Sequence, residues 1–307
     1  MALDWCDQNP LKKLARKSFE LHKELEKELG PDVGYRAMDT LSVSTGTSRT
    51  DSSLPSWIDG KVEHSDVIGT ESSTAQCHPK LLTKGLLDAA VQGGAKLVIG
   101  KVSGIKLADN GKDVEGVRVD DKILDADAVI VTMGPWSGQA SAWLPKAGIP
   151  KIGGGRAHSI VLDTSGKDIT AHALFASVDG RDCEVYPRPD GTVYSCGNDD
   201  QEPLPEDPKD VLPKQSSCDE LVKRVAKISS SLEGCPVITS QACYLPHTPD
   251  GIPMIGKLGF YEGAYIATGH TCWGILNGPA TGLGMAELIL DGKVKSVDFG
   301  EYNPGRF

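Results

Sequence analysis

Residues 263–292, GAYIATGHTCWGILNGPATGLGMAELILDG, hold an apolar run, a polar turn and a helix-like segment loaded with glycine. An ordinary helix would carry alanine or leucine at those glycine positions, since each glycine in a helix interior costs roughly 0.5–1 kcal/mol relative to alanine. Tyr265–Thr268 reads as the end of an apolar strand, and Asn277-Gly278-Pro279 as a helix start. Asparagine can cap there, and proline fits a first helical turn. A strand that turns into a helix aims free N–H groups and a positive dipole end at whatever lies above the sheet edge. Gly278 and Gly282 are four apart and share a face, so a partner can approach closely. That partner is either a ligand or a neighbouring element packed tightly. The fragment GLGMAE half-matches G-x-G-x-x-G but lies inside the helix and lacks the last glycine, so it carries no weight.

Working outward, LKKLARKSFELHKELEKEL (11–29) places Leu11, Leu14, Ala15, Phe19, Leu21 and Leu25 on one stripe and predicts a helix stopped by Gly30-Pro31. GYRAMDTLSVS (34–44) predicts a strand, and 45–60 a polar loop. Pro79 opens a helix that Gln92-Gly93-Gly94 ends, and Ala95–Ile99 follows as a β-rich apolar strand. VEGVRV and KILDA predict two short strands. ADAVIVTMG (126–134) is apolar on both faces, as a buried parallel strand should be. AHSIVLD, AHALFASV, CEVYPRPDG and TVYSCG, within 155–200, predict antiparallel strands joined by Asp-Gly turns. The Pro- and acid-rich stretch 201–217 predicts a surface loop, and Asp219–Leu232 a helix.

The fold class expected is therefore α/β, or α+β overall. A Rossmann-like domain (1–33, 75–150 and 256–307) is interleaved with a mostly antiparallel β-sheet substrate or cap domain (34–74 and 151–255). Two domains sharing a cleft are a common place for ligands.

With 307 residues the chain is long enough for two domains of roughly 150 residues each. A net charge of -10 without a basic stripe argues against nucleic acid as a partner. No run of about 18 apolar residues predicts a membrane span. Eight cysteines without a CxxC pair fit a reducing compartment and a cytoplasmic protein. His270 and Cys272 are neighbours, but no second pair supports a metal site, so none is expected.

GHTCWGILNGPATGLGMAELILDG resembles the C-terminal flavin segment of the FAD-dependent D-amino-acid oxidase and glycine oxidase superfamily. There a strand-turn-helix closes over the isoalloxazine, and a helix dipole suits the negative charge of the reduced ring. QCHPKLLTKGLLDAAVQGGAKLVIGKVSGI resembles the family's segment leading to the adenine, with Val102 at the contact position. ADAVIVTMGPWS resembles the strand that ends beside the cofactor at Gly134, and YPRPDGTVYSCG and YLPHTPDGIPMIG resemble substrate-domain blocks. The style of the last block and of CWG-x-x-NGP is nearest to eukaryotic members of undefined substrate. The resemblance implies FAD contacts from Val102, Gly134, Gly269, Gly274, Ile275, Asn277, Gly278 and Pro279, and site roles for His270, Trp273, Tyr244 and Arg188.

Two departures stand out. The family's opening strand, G-x-G-x-x-G turn and helix, which bind the FAD pyrophosphate, have no counterpart in this sequence. The expectation is a truncated form of a flavin-using parent, holding little FAD by itself. Second, Leu245 stands where glycine-oxidase-like members place an arginine for the substrate carboxylate, leaving Arg188 or Arg156 to substitute. Two functions follow. One is oxidation of an amine or amino acid, a small-molecule substrate giving hydride to flavin. The other is a regulatory or interaction protein that keeps the fold without FAD.

Overall fold

The computed structural model describes residues 1–47 and 53–307. In chain order the elements begin with α1 (Lys12–Leu29), β1 (Arg36–Ala37), β2 (Asp39–Thr45), β3 (Val62–Gly69), β4 (Ala75–Gln76) and α2 (Pro79–Gln92). Next come β5 (Val102–Leu107), β6 (Val114–Val119), β7 (Lys122–Asp125), β8 (Val129–Val131), α3 (Ala140–Trp143) and β9 (Gly153–Asp163). Then follow β10 (His172–Val178), β11 (Arg181–Pro187), β12 (Thr192–Asp200) and α4 (Gln215–Ile228). The chain closes with β13 (Val237–His247), β14 (Met254–Lys257), β15 (Ala264–Thr268) and α5 (Gly274–Asp291). They form two units: Met1–Ala2, Leu29–Lys84 and Gly155–Tyr244 in the first, and Leu3–Glu28, Gly85–Gly154 and Leu245–Phe307 in the second.

The first unit is built on a seven-stranded sheet of order β13-β9-β12-β11-β10-β2-β3. β10 lies parallel to β2, while the β9–β12, β12–β11, β11–β10 and β2–β3 pairs are antiparallel. Alternation sets its two faces. On β11, Cys183 and Val185 point into the core while Glu184 and Tyr186 take the other face. α4 covers the core face with Cys218, Leu221, Val225 and Ile228 against Leu174, Ala176, Val178 and Val193. The predicted polar loop 45–60 needs correction. Residues 48–52 lie outside the described residues, but Leu54, Trp57 and Ile58 are buried in this core, and Trp57 Nε1 donates to Thr170 Oγ1 at 2.9 Å. The following strand, β3, has too little alternation to be read from sequence: only Val62 and Gly69 at its ends are buried.

The second unit holds two three-stranded sheets, β14-β15-β8 and β5-β6-β7. β15 is parallel to β8 and antiparallel to β14. Val114, Val131, Leu144, Met254, Tyr261 and Ile266 share its core. Three expectations change here. The strand predicted over 126–134 is only Val129–Val131, and Ile130 is 41% exposed, because β8 has a paired neighbour on one side only. Ala95–Ile99 forms no strand: it finds no pairing partner among the described residues, and Ile99 is 84% exposed. The helix expected at 219–232 runs instead over Gln215–Ile228.

Gly263 locks the entry to β15. Its φ is +78, and a Cβ there would stand 2.4 Å from the Asp127 carbonyl oxygen, beside β8. Gly263→Ala is therefore expected to destabilise the chain by about 2–4 kcal/mol, combining a left-handed backbone with overpacking. Denaturant unfolding measures this, and an unchanged midpoint would show that the β8–β15 approach is not tight.

Candidate functional site

The parallel strands β8 and β15 end on the same side, and that end is fastened by Thr268 Oγ1, which donates to the Gly134 carbonyl at 2.9 Å. Gly134 (φ +53) and Gly269 (φ +82) take the left-handed region where the two strands turn away. Ligands of α/β sheets bind outside such carboxyl ends. The turn after β15 is strained: Thr271, a β-branched residue, has φ +51, a conformation that costs on the order of 1–3 kcal/mol and clusters at functional sites.

α5 begins at Gly274, three residues before the predicted start, so Pro279 lies inside the helix rather than in its first turn. A proline there donates nothing to the carbonyl four residues back, which is Ile275. His22 on α1 supplies the missing donor, with Nε2 2.9 Å from Ile275 O and 3.2 Å from Leu276 O. The next N–H, of Ala280, donates to Ser18 Oγ at 3.0 Å. Both α1 residues are buried on the stripe that carries Leu14, Ala15 and Phe19. Burial holds the His22 pKa below its ordinary value, so the ring is neutral and donates through Nε2. Sequence reasoning missed His22 and Ser18. The available signal was a pair of polar residues four apart on an apolar stripe, together with a proline six residues into a helix.

The start of α5 has no side-chain cap, so the N–H groups of its first three residues, from Gly274 to Leu276, have no intrahelical acceptor. Ile275, Gly278 and Gly282 form an exposed face beyond it, and nothing lies within 4 Å of where a Cβ of Gly278 or Gly282 would be. Asn277 is not on that face: its side chain is fully buried, and neither Oδ1 nor Nδ2 has a partner. His270 precedes the helix, its Nδ1 buried without a partner and its Nε2 3.5 Å from Thr281 Oγ1. Burial lowers its pKa to about 4, so the ring is neutral at pH 7. Trp273 lies half-buried at the helix start, and Val102 opens β5 opposite Val119.

Two of the predicted site residues belong to the first unit. Tyr244 is buried and its hydroxyl donates to Pro203 O at 2.9 Å. Arg188 is half-buried, its guanidinium 5.0 Å over the Tyr194 ring. Arg156, the other candidate for the carboxylate, is already committed to Asp200 through bonds of 2.9 and 2.7 Å. No group of His, Cys, Asp and Glu that could hold a metal occurs among the described residues, and none of their helices is long and apolar enough to cross a membrane.

The family model described as FAD dependent oxidoreductase (DAO) matches residues 3–288, and the chain belongs to that family. It is 31% identical over 334 residues to a Schizosaccharomyces pombe protein named as an oxidoreductase, covering 99% of this chain and 84% of that one. It is 33% identical over 279 residues to the Saccharomyces cerevisiae protein TDA3, also named as an oxidoreductase, covering 77% of this chain but 52% of TDA3. Among solved structures, glycine oxidase from Geobacillus kaustophilus shares the fold with a TM-score of 0.82 at 18% identity, over 97% of this chain and 84% of that one.

Two measurements test the α1–α5 stitch. His22→Ala leaves two buried carbonyls short of a donor, at about 1–3 kcal/mol for a buried unpaired group. We expect a lower unfolding midpoint, with Ser18→Ala a smaller loss; full stability in His22→Ala would contradict the stitch. The pH dependence follows from both buried histidines. Unfolded histidine binds a proton near 6.5, whereas His270 does so only near 4 and the His22 value is also depressed. The unfolded state therefore binds more protons, and stability is lost as pH falls below about 6.5, at up to about 1.4 kcal/mol per pH unit for each ring. Unfolding followed from pH 7.5 to 5 should show that slope, flattened in His270→Phe.

Proposed function

We propose that this chain serves in oxidising a C–N bond of an amine or amino acid, with FAD as the acceptor. The observation that carries this is the uncapped start of α5 with its open glycine face, set where β8 and β15 end. The residues fit a flavin. The free N–H groups at the start of α5, from Gly274 to Leu276, would face its electron-rich edge, and Gly278 and Gly282 leave room for a flat ring. Gly134, Gly269 and Val102 complete the proposed contacts, with Ile275 and Pro279 on the helix itself. Bound flavin supplies the two-electron acceptor for a hydride from the substrate's α-carbon. The protein's share is orientation and electrostatics. His270, neutral at pH 7, adds no charge beside the ring, and Trp273 would exclude water.

A second function, that of an interaction protein without FAD, is favoured by one feature. Leu86, Leu87 and Val91 on α2, and Leu97, Val98 and Ile99 after it, are exposed, and an apolar patch of this kind marks an interaction surface.

The visible spectrum separates the two. Expressed alone and mixed with FAD, the chain is expected to retain little flavin through gel filtration, because its described residues form no glycine-rich phosphate turn. Fused behind a βαβ dinucleotide-binding unit, it should retain flavin, and Gly278→Val should lose it through steric exclusion. Stoichiometric yellow protein from the chain alone would overturn the first statement, and unchanged occupancy in Gly278→Val would remove Gly278 from the site. Glycine and simple D-amino acids are expected to bleach the loaded flavin poorly, since Leu245 offers their carboxylate no partner. A loss of roughly 3 kcal/mol weakens binding on the order of a hundredfold.

A further inference from the structure

In the first unit, Arg156 and Arg224 are largely buried and ion-paired, to Asp200 and Glu220 respectively. Arg36 and Arg188 are half-buried, and no carboxylate stands within ion-pair distance of either among the described residues. A desolvated guanidinium without a counter-charge is costly, and burial lowers the pKa of both, with Asp190 opposing the shift from nearby. The two converge on one point of the chain. Arg36 donates to the Pro187 carbonyl, as does Gln76 Nε2 at 2.7 Å, and Arg36 Nε is buried without an acceptor. Arg188 Nη1 lies 3.5 Å from His78 Nε2. Asp190 itself is held by Thr192, through N at 3.0 Å and Oγ1 at 2.6 Å.

Glu184 lies on β11 four residues before Arg188, which follows the strand's last residue, Pro187. Its Oε2 accepts from the Tyr186 hydroxyl and from Cys196 Sγ at 3.5 Å, while no donor among the described residues reaches Oε1. The amino group of Met1 lies in the same field, but burial lowers its pKa. Between the two charges stand Tyr186 and Tyr194, cross-strand partners with ring centroids 6.1 Å apart. Four residues of strand span roughly 13 Å, and Arg188 shortens that span by folding back over Tyr194.

We propose that this sheet face binds an extended zwitterion, its carboxylate on Arg36 and Arg188, its ammonium on Glu184 and its carbon chain across Tyr186 and Tyr194. A ligand with both charges on adjacent carbons cannot reach both ends. Only in calling this ligand the substrate does the inference rest on the amine-oxidation function. In that role it replaces the clamp lost at Leu245 with one of different position and selects ω-amino acids over glycine.

Calorimetric titration of the purified chain tests this with 6-aminohexanoate, hexanoate, hexylamine and glycine. 6-Aminohexanoate is expected to bind at least about tenfold more tightly than the other three. Glu184→Gln should abolish that advantage over hexanoate without weakening hexanoate itself. Arg188→Ala and Arg36→Ala should weaken both carboxylates about tenfold or more, with Arg188→Lys partly restoring them. Unchanged thermal melts keep these losses distinct from misfolding. Hexanoate binding as tightly as 6-aminohexanoate, affinities that none of the variants alters, or no binding at all would overturn the proposal. The titration needs no flavin, so it stands apart from the spectrum above. Tight 6-aminohexanoate binding by a protein whose loaded flavin it never reduces would retain the site and remove the oxidation function.

Discussion

Pro279 takes one donor out of α5 at the place where that helix meets the end of β15. A buried carbonyl left open there would cost about as much as several surface contacts contribute. His22 closes the gap at Ile275 and donates to Leu276 as well, and Ser18 Oγ accepts from the Ala280 N–H. Three side chains thus fix how α1 and α5 pack within the second unit. The helix start, with its free N–H groups and open glycines, is set by that packing as much as by its own sequence. The imidazole donates through Nε2, and burial favours its neutral form.

The same economy of donors explains the turn before α5. Gly269 and Gly134 adopt left-handed backbone without penalty, while Thr271 does so under strain. Thr268 ties the two strand ends together across 134 residues of sequence. Such a turn places a helix N-terminus over the carboxyl edge of parallel strands, an arrangement suited to an electron-rich ligand. The DAO family match agrees with it. A family model, however, identifies no substrate, and fold is shared by enzymes with different ones. On the first unit's sheet, β11 and β12 present Glu184, Tyr186, Tyr194 and Cys196 on the face opposite their core residues.

Part of the site was legible locally. Alternation along CEVYP and TVYSC separated inward from outward residues, and the glycine spacing in α5 marked a face without side chains. Other parts were not. Asn277 looked like a cap beside Gly278, yet it is turned into the packed side, because the helix starts earlier and rotates it inward. Arg156 and Arg188 are equivalent in sequence, but Asp200 holds one and no carboxylate among the described residues holds the other. Arg36 carries no local signal, since its two-residue strand has almost no pattern.

By itself the sequence determined the α/β composition, the hairpins at Asp179-Gly180 and Asp190-Gly191, the extent of α1 and α2 and the glycine face of α5. These depend on neighbours within a few residues, through helical or strand period, turn chemistry and the absence of a Cβ. Tertiary structure alone decided that β10 pairs in parallel with β2, that Ala95–Ile99 remains unpaired and that Trp57 anchors a loop in the core. It also decided that His22 completes the helix which Pro279 interrupts. Each of these depends on which group, distant in sequence, comes within hydrogen-bonding or van der Waals reach, and no local period encodes that choice.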